Sequence, residues 1–205
     1  VKRFKLSKEA TQIGAWIIPH DIIDDICDYW DNPENDKRKV TGSIGKYNIG
    51  NAIDIDVKDS IEIEINSNNF DKPWDKYRKY LQDCLDDYLL QYPNANEVMP
   101  FNLLENYNLQ WYPKGGGYKD WHHENPGSVE YVHRHLVFMT YCNDLPNAGT
   151  HFKHQNITTP SIKGLTLIWA SGFTHTHKGQ ITEEHEKMIV TGWYNFVDVF
   201  NKLDK

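Results

Sequence analysis

Between Pro19 and Trp30, Ile22, Ile23, Ile26, Tyr29 and Trp30 recur at helical spacing, with aspartates on the opposite side. Pro19 suits the start of such an element, and the pattern predicts a short amphipathic helix. The following DNPENDKRKVTGSIGKYNIGN is polar and broken by Pro33, Gly42, Gly45 and Gly50. It is expected to be a long surface connection able to order over a ligand. Residues 61–65, IEIEI, alternate apolar and acidic side chains, which predicts a strand with one buried and one wet face. After Pro73, Trp74, Tyr77, Leu81, Leu85, Tyr88 and Leu89 form the stripe of a second helix that Pro93 ends.

Beyond Pro100 the pattern changes. The runs NLQWY, YVHRHLVFMTYC, THF, GLTLIWA and KMIVTGWYNFVDV are short, aromatic and β-branched, with Gly, Pro and Asn turns between them. Many short strands with frequent turns predict an antiparallel sandwich or barrel, and the helices of the first half would cover one sheet. No internal repeat or low-complexity stretch interrupts this layout.

A chain of 205 residues with 25% charged and 39% hydrophobic side chains has the size and composition of one globular domain. With 29 acidic residues against 22 Lys and Arg, the net charge is −7, and the acidic groups are spread along the chain. That balance argues against a dedicated nucleic-acid surface. No apolar run reaches the length needed to cross a bilayer, and VKRFKLSKEATQ lacks the apolar stretch of a secretory signal, so the expected location is the cytoplasm. Cys27, Cys84 and Cys142 are odd in number and widely spaced, which fits small core residues rather than a disulfide framework or thiolate zinc site.

Histidine is distributed unevenly: nine of ten lie between positions 122 and 185. In WHHE, His122 and Glu124 are two apart, so in an extended segment they share a side and can converge on one cation, while His123 would face away. In THTHKG, His175 and His177 share a side in the same manner, and either could complete a site. Two imidazoles and one carboxylate leave open positions on an octahedral ion, as in non-haem Fe(II) oxygenases; the same donors also suit catalytic zinc. His133, His135, His151 and His154 show no ligand pattern and are expected as interface or surface residues.

The stretch YPKGGGYKDWHHE, residues 112–124, resembles the Tyr-x-x-Gly, Tyr, His-x-Asp/Glu segment of the iron and 2-oxoglutarate dependent dioxygenases of the prolyl 4-hydroxylase type, including small microbial and viral members. GTHF, PSIKGLTLIWASGFTHTHKG and EKMIVTGWYNF resemble the later motifs in order, so the resemblance spans roughly residues 102–197. It implies a mainly β fold with flanking α-helices around a double-stranded β-helix, or jelly-roll, core. One dioxygenase domain would occupy 1–205, with 1–100 as a helix-containing support region and 101–200 as the catalytic core.

The resemblance further implies that His122 and Glu124 are paired iron ligands and that the distal ligand lies in THTHKG. His177 is favoured over His175 because Lys187, the expected grip on 2-oxoglutarate, follows it by ten positions. Tyr112 would donate to the same carboxylate. Lys187 also has a physical case: it opens an apolar strand, and with Ile189 and Thr191 it would face an interior where a cation needs a partner. The implied cofactors are Fe(II), 2-oxoglutarate and O2, with ascorbate as an auxiliary reductant. The implied reaction is hydroxylation of an unactivated C–H bond in a peptidyl proline or a small molecule, with Trp121, Trp169, Phe173 and Trp193 as candidate aromatic walls.

Glu124 departs from the commoner Asp, retaining the carboxylate on a longer arm. Rival readings are a zinc hydrolase using His122, Glu124 and His177, a cupin-like site built on His175, His177 and Glu183, and a non-enzymatic metal-binding β-sandwich. The zinc hydrolase lacks HExxH and a separate general base. Gly115, Gly116 and Gly117 are expected as a flexible turn, since no GK[ST] follows them.

Overall fold

The computed structural model describes residues 1–46 and 50–197. Its strands are β1 (Lys2–Arg3), β2 (Gly14–Ile17), β3 (Val40–Thr41), β4 (Ile61–Ile65), β5 (Phe101–Asn102), β6 (Tyr107–Tyr112), β7 (Arg134–Tyr141), β8 (Leu145–Phe152), β9 (Ile157–Ser161), β10 (Leu165–Ala170), β11 (His177–Gly179) and β12 (Lys187–Phe196). Short ladders also join Lys58–Asp59 to Gly117–Tyr118 and Ile44–Lys46 to Gly50–Ala52. The helices are α1 (His20–Asp31) and α2 (Trp74–Gln91), close to the predicted bounds.

Among the described residues nine strands pair antiparallel into one sheet in the order β1-β2-β10-β7-β12-β6-β4-β3, with β5 beside the end of β12. Strands from both halves of the chain therefore share it. A second sheet, β9-β8-β11, has three strands. The molecule is mainly β with flanking helices, and the ladders do not close into one continuous barrel among the described residues.

Period-two alternation gives the large sheet two different faces. One face meets the helices: Ile63, Ile65, Tyr107, Leu109, Leu136, Phe138, Ile168, Val190 and Tyr194 pack with Ile22, Ile23 and Ile26 of α1 and Trp74, Tyr77, Leu81, Cys84 and Leu85 of α2. The Tyr77 hydroxyl reaches Thr140 Oγ1 at 2.9 Å, and Thr140 reaches Thr166 at 2.8 Å, so these three hydroxyls satisfy one another within the layer. Cys84 and Cys142 are buried and Cys27 half-buried against the same core, as expected of unpaired structural thiols.

The opposite face carries Val137, Met139, Tyr141, Leu165, Leu167, Trp169 and Ile189 towards Phe152 and Ile157 of the small sheet. Tyr141 ties the sheets together, its hydroxyl lying 2.7 Å from Thr150 Oγ1 and 2.8 Å from Thr159 Oγ1. Gly149 permits this packing: a Cβ there would lie 1.6 Å from the Thr159 carbonyl oxygen.

Several elements differ from expectation. Strand β8 begins at Leu145, well before THF, because Leu145 pairs with Ser161 across an irregularity in register that Pro146 and Asn147 concealed. In β4 the face expected to be wet is the wall of an internal cavity, and Glu62 on it is buried. The segment after α1 forms a 3-10 helix at Pro33–Arg38 and short strands, and Ser43, Ile44 and Gly45 border the cavity; its residues 47–49 lie outside the described residues.

Candidate metal centre

The cavity on the face of the large sheet away from the helices has a volume of about 600 Å³, within the range of ordinary ligand pockets. On its wall the chain after Tyr118 runs antiparallel to the start of β11. The His122 N–H donates to the His177 carbonyl at 3.0 Å and the His177 N–H to the His122 carbonyl at 2.8 Å. This reciprocal pair sets the two imidazoles side by side, with ring centroids 4.4 Å apart. Two residues on, the Glu124 N–H donates to the Ser171 carbonyl at the end of β10, returning the carboxylate to the same point.

Glu124 Oε1 lies 3.3 Å from His122 Nε2 and 3.5 Å from His177 Nε2, and the three candidate donor atoms lie within 4.8 Å of one another. His122 Nδ1 is 3.0 Å from the Asp120 carbonyl, and His177 Nδ1 is 2.8 Å from the His175 carbonyl. Each carbonyl can only accept, so Nδ1 donates in both rings and Nε2 is the nitrogen turned to Glu124, the one a metal would take. Burial pushes the Glu124 carboxyl up, but hydrogen bonds and charge from both imidazoles outweigh it and hold it well below the usual range. Burial, with His122 beside it, lowers His177. One carboxylate oxygen and two imidazole Nε2 atoms thus converge on one point, where a metal ion would take the place of the contacts between them. Two histidines and a carboxylate with open positions is the ligand set of non-haem Fe(II) oxygenases.

Lys187 stands at the first position of β12, opposite Tyr112 of β6. It is 4% exposed, and its ammonium is 3.4 Å from the Gln180 carbonyl and 5.2 Å from the centroid of the Tyr112 ring. No carboxylate forms an ion pair with it among the described residues, and burial lowers it from 10.5 to about 8. The Tyr112 hydroxyl donates to Gln110 Oε1 at 2.6 Å. Trp169, also on the cavity wall, has its indole N–H buried without a partner among the described residues. The cavity therefore holds a cation and a donor whose electrostatic demands the chain does not meet.

The structure brings His122, Glu124 and His177 together and sets Lys187 and Tyr112 in the same cavity. His175 lies in a 3-10 turn with Nε2 donating to the Thr11 carbonyl at 3.2 Å, and Glu183 is exposed, so the cupin-like trio is not assembled. His123 stands outside the triad, as its parity implies, although it borders the cavity. Trp169 and Trp193 are wall residues, whereas Trp121 and Phe173 are exposed. His135 donates to the Ala95 carbonyl and His151 bonds Thr158, both away from the triad.

Sequence reasoning saw Tyr118 only as part of the motif, without a role, and passed over Arg134 and Glu105. Tyr118 stacks on His122 with centroids 3.6 Å apart. Arg134 lies 3.5 Å over the Trp193 ring and binds Glu105 at 2.9 Å. A lone arginine in YVHRHL and a glutamate in a loop carry no local signal, because only the tertiary fold joins them. Lys58 and Glu62, also on the cavity wall, form a buried ion pair at 2.5 Å.

In comparison with known proteins, no family model and no curated protein matches the sequence. The fold does have counterparts among solved structures. A Pseudomonas putida prolyl-4-hydroxylase is similar with a TM-score of 0.68 at 14% identity, covering 91% of this chain and 94% of that one. The viral collagen prolyl hydroxylase of Paramecium Bursaria Chlorella virus-1, in its 2OG complex, gives 0.65 at 12% identity over 92% and 98%. A Trichoplax adhaerens prolyl hydroxylase in complex with a hypoxia inducible factor oxygen degradation domain peptide fragment gives 0.68 at 17% identity over 91% and 84%. The chain has the fold of these prolyl hydroxylases. No helix among the described residues is long and apolar enough to cross a membrane.

Proposed function

We propose that the protein is an Fe(II)- and 2-oxoglutarate-dependent dioxygenase that hydroxylates an unactivated C–H bond, most consistently in a peptidyl proline. The observation that carries this reading is the presence in one cavity of the His122, Glu124 and His177 cluster and the unpaired buried ammonium of Lys187. In this reading 101–200 is a double-stranded β-helix catalytic core supported by 1–100 within a single domain.

His122, Glu124 and His177 would hold Fe(II) through Nε2, Oε1 and Nε2. The bound metal and 2-oxoglutarate would supply the oxidising chemistry, O2 being consumed as the cosubstrate decarboxylates to succinate. Lys187 would pair with the far carboxylate of the cosubstrate, and Tyr112 would turn its hydroxyl from Gln110 towards it. Both groups are buried, so the pairing is screened little by water. Tyr118, Tyr131 and Trp193 border the remaining space, where a peptide such as that held by the Trichoplax neighbour would present its proline.

The test is succinate formation by anaerobically iron-loaded protein, with and without oxygen, ascorbate and a proline-rich peptide. Oxygen-dependent turnover is expected, stimulated by the peptide and lost in H122A and K187A. Iron-loaded protein that neither binds 2-oxoglutarate nor makes succinate under any condition would overturn the assignment. Turnover without peptide stimulation would redirect the substrate to a small molecule.

A further inference from the structure

The carboxylate of the candidate triad is a glutamate, and the structure shows where its extra length goes. Only Oε1 faces the imidazoles. Oε2 accepts from Trp193 Nε1 at 3.0 Å and from an Arg134 guanidinium nitrogen at 3.3 Å. Neither donor is loose. Trp193 is fixed by the β12 register, opposite Val137 of β7. Arg134, only 9% exposed, lies between the rings of Trp193 and Tyr131, at 3.5 and 4.3 Å from their centroids. Its remaining nitrogens bind Glu105 at 2.9 to 3.2 Å, and Asn195 holds the other side of Glu105 at 2.7 Å.

We infer that Trp193 and Arg134 are positioning residues that clamp Oε2 of Glu124, so that it offers a metal ion Oε1 alone and the site requires glutamate rather than aspartate. This rests on the metal reading above. A bidentate carboxylate would occupy a position the cosubstrate needs; with Oε2 committed to two donors, Glu124 is confined to one. Aspartate, one methylene shorter, cannot reach the indole N–H and the metal point together, since both are fixed by backbone elements that do not move with the side chain. Partners of this kind are worth about 10- to 100-fold in metal affinity.

The experiment is a Co(II) titration of the anaerobic metal-free protein, followed by the visible ligand-field bands, for wild type, E124D, W193F and E124D/W193F. E124D is expected to lose about 10- to 100-fold in affinity although it keeps a carboxylate, and W193F to lose affinity with altered bands. The double variant should be no weaker than E124D, because the contact is already gone; independent structural roles would instead make the losses add. Melting temperatures of the metal-free forms check folding, and if W193F does not fold, R134K, which keeps the charge but loses the fork, takes its place in the cycle. E124D binding Co(II) as wild type does, or additive losses, would overturn the clamp. Failure of the wild type to bind Co(II) at all would instead overturn the metal reading on which it rests.

Discussion

Lys187 shows at the scale of one residue how a site sacrifices stability for a ligand. Burial lowers its ammonium from 10.5 to about 8, a difference equivalent to about 3 kcal/mol against the charged form. In the unfolded chain the lysine keeps its proton up to the ordinary value, whereas in the folded protein it sheds it above about 8. Between these limits the unfolded state binds more protons, so stability rises with pH across that window and the penalty is full below it. Denaturant unfolding of the metal-free protein is therefore expected to show K187M more stable than wild type by up to about 3 kcal/mol at pH 7, with the gap closing towards pH 10.5. Calorimetry should show the converse for ligand: K187M loses 2-oxoglutarate, and wild-type affinity falls by about tenfold per pH unit once the free site deprotonates above about 8. A K187M variant no more stable than wild type at pH 7 would mean that the ammonium already has a satisfactory partner. That Lys187 faces inward was legible from its place at the head of an apolar strand. That it lacks a partner was not, because absence of a carboxylate depends on every element around it.

At the scale of elements, alternation located most of the fold. The amphipathic stripes of α1 and α2 and the parity of β12 follow directly from local spacing, because each element must bury one face whatever its neighbours are. The same parity brought His122 and Glu124 to one side. What local spacing could not supply was the partner of each face: it treated the acidic side of β4 as solvent-facing when it lines a cavity, and it passed over GAWI, which is too short to declare itself and becomes a strand by pairing with β10. The choice between His175 and His177 likewise turned on a 3-10 turn after β10, which rotates His175 away and begins β11 at His177. Because the two sheet faces are separate, damage to the helix face should leave the site intact. Ile23 is fully buried on α1, so I23A is expected to lower unfolding free energy by about 2 to 5 kcal/mol while Co(II) affinity at low temperature stays within about twofold of wild type. A large loss of affinity in folded I23A would show that the helix layer sets the metal geometry through the sheet.

For the whole molecule, the large sheet acts as a partition, with an apolar layer and two helices on one side and a polar cavity on the other. The cavity side is where the structure is least self-sufficient: among the described residues three donor atoms converge on one point, a buried ammonium has no carboxylate, and an indole N–H has no acceptor. Ligands that satisfy these groups bind only the folded chain, because His122, Glu124, His177 and Lys187 come together only when both sheets form. Binding must then appear as stability, by about 2.7 kcal/mol at a free concentration one hundred times the dissociation constant, or about 5 to 10 °C in melting temperature for a chain of this size. Anaerobic melting scans are expected to show two separable increments, one from Co(II) or Mn(II) and a second from 2-oxoglutarate added with the metal. The two depend on different residues: H122A should abolish both, since the cosubstrate needs the metal, whereas K187A should keep the metal increment and lose the second. A 2-oxoglutarate increment that survives in K187A would move the far carboxylate to another donor on the cavity wall, where the unpartnered Trp169 indole stands next in line.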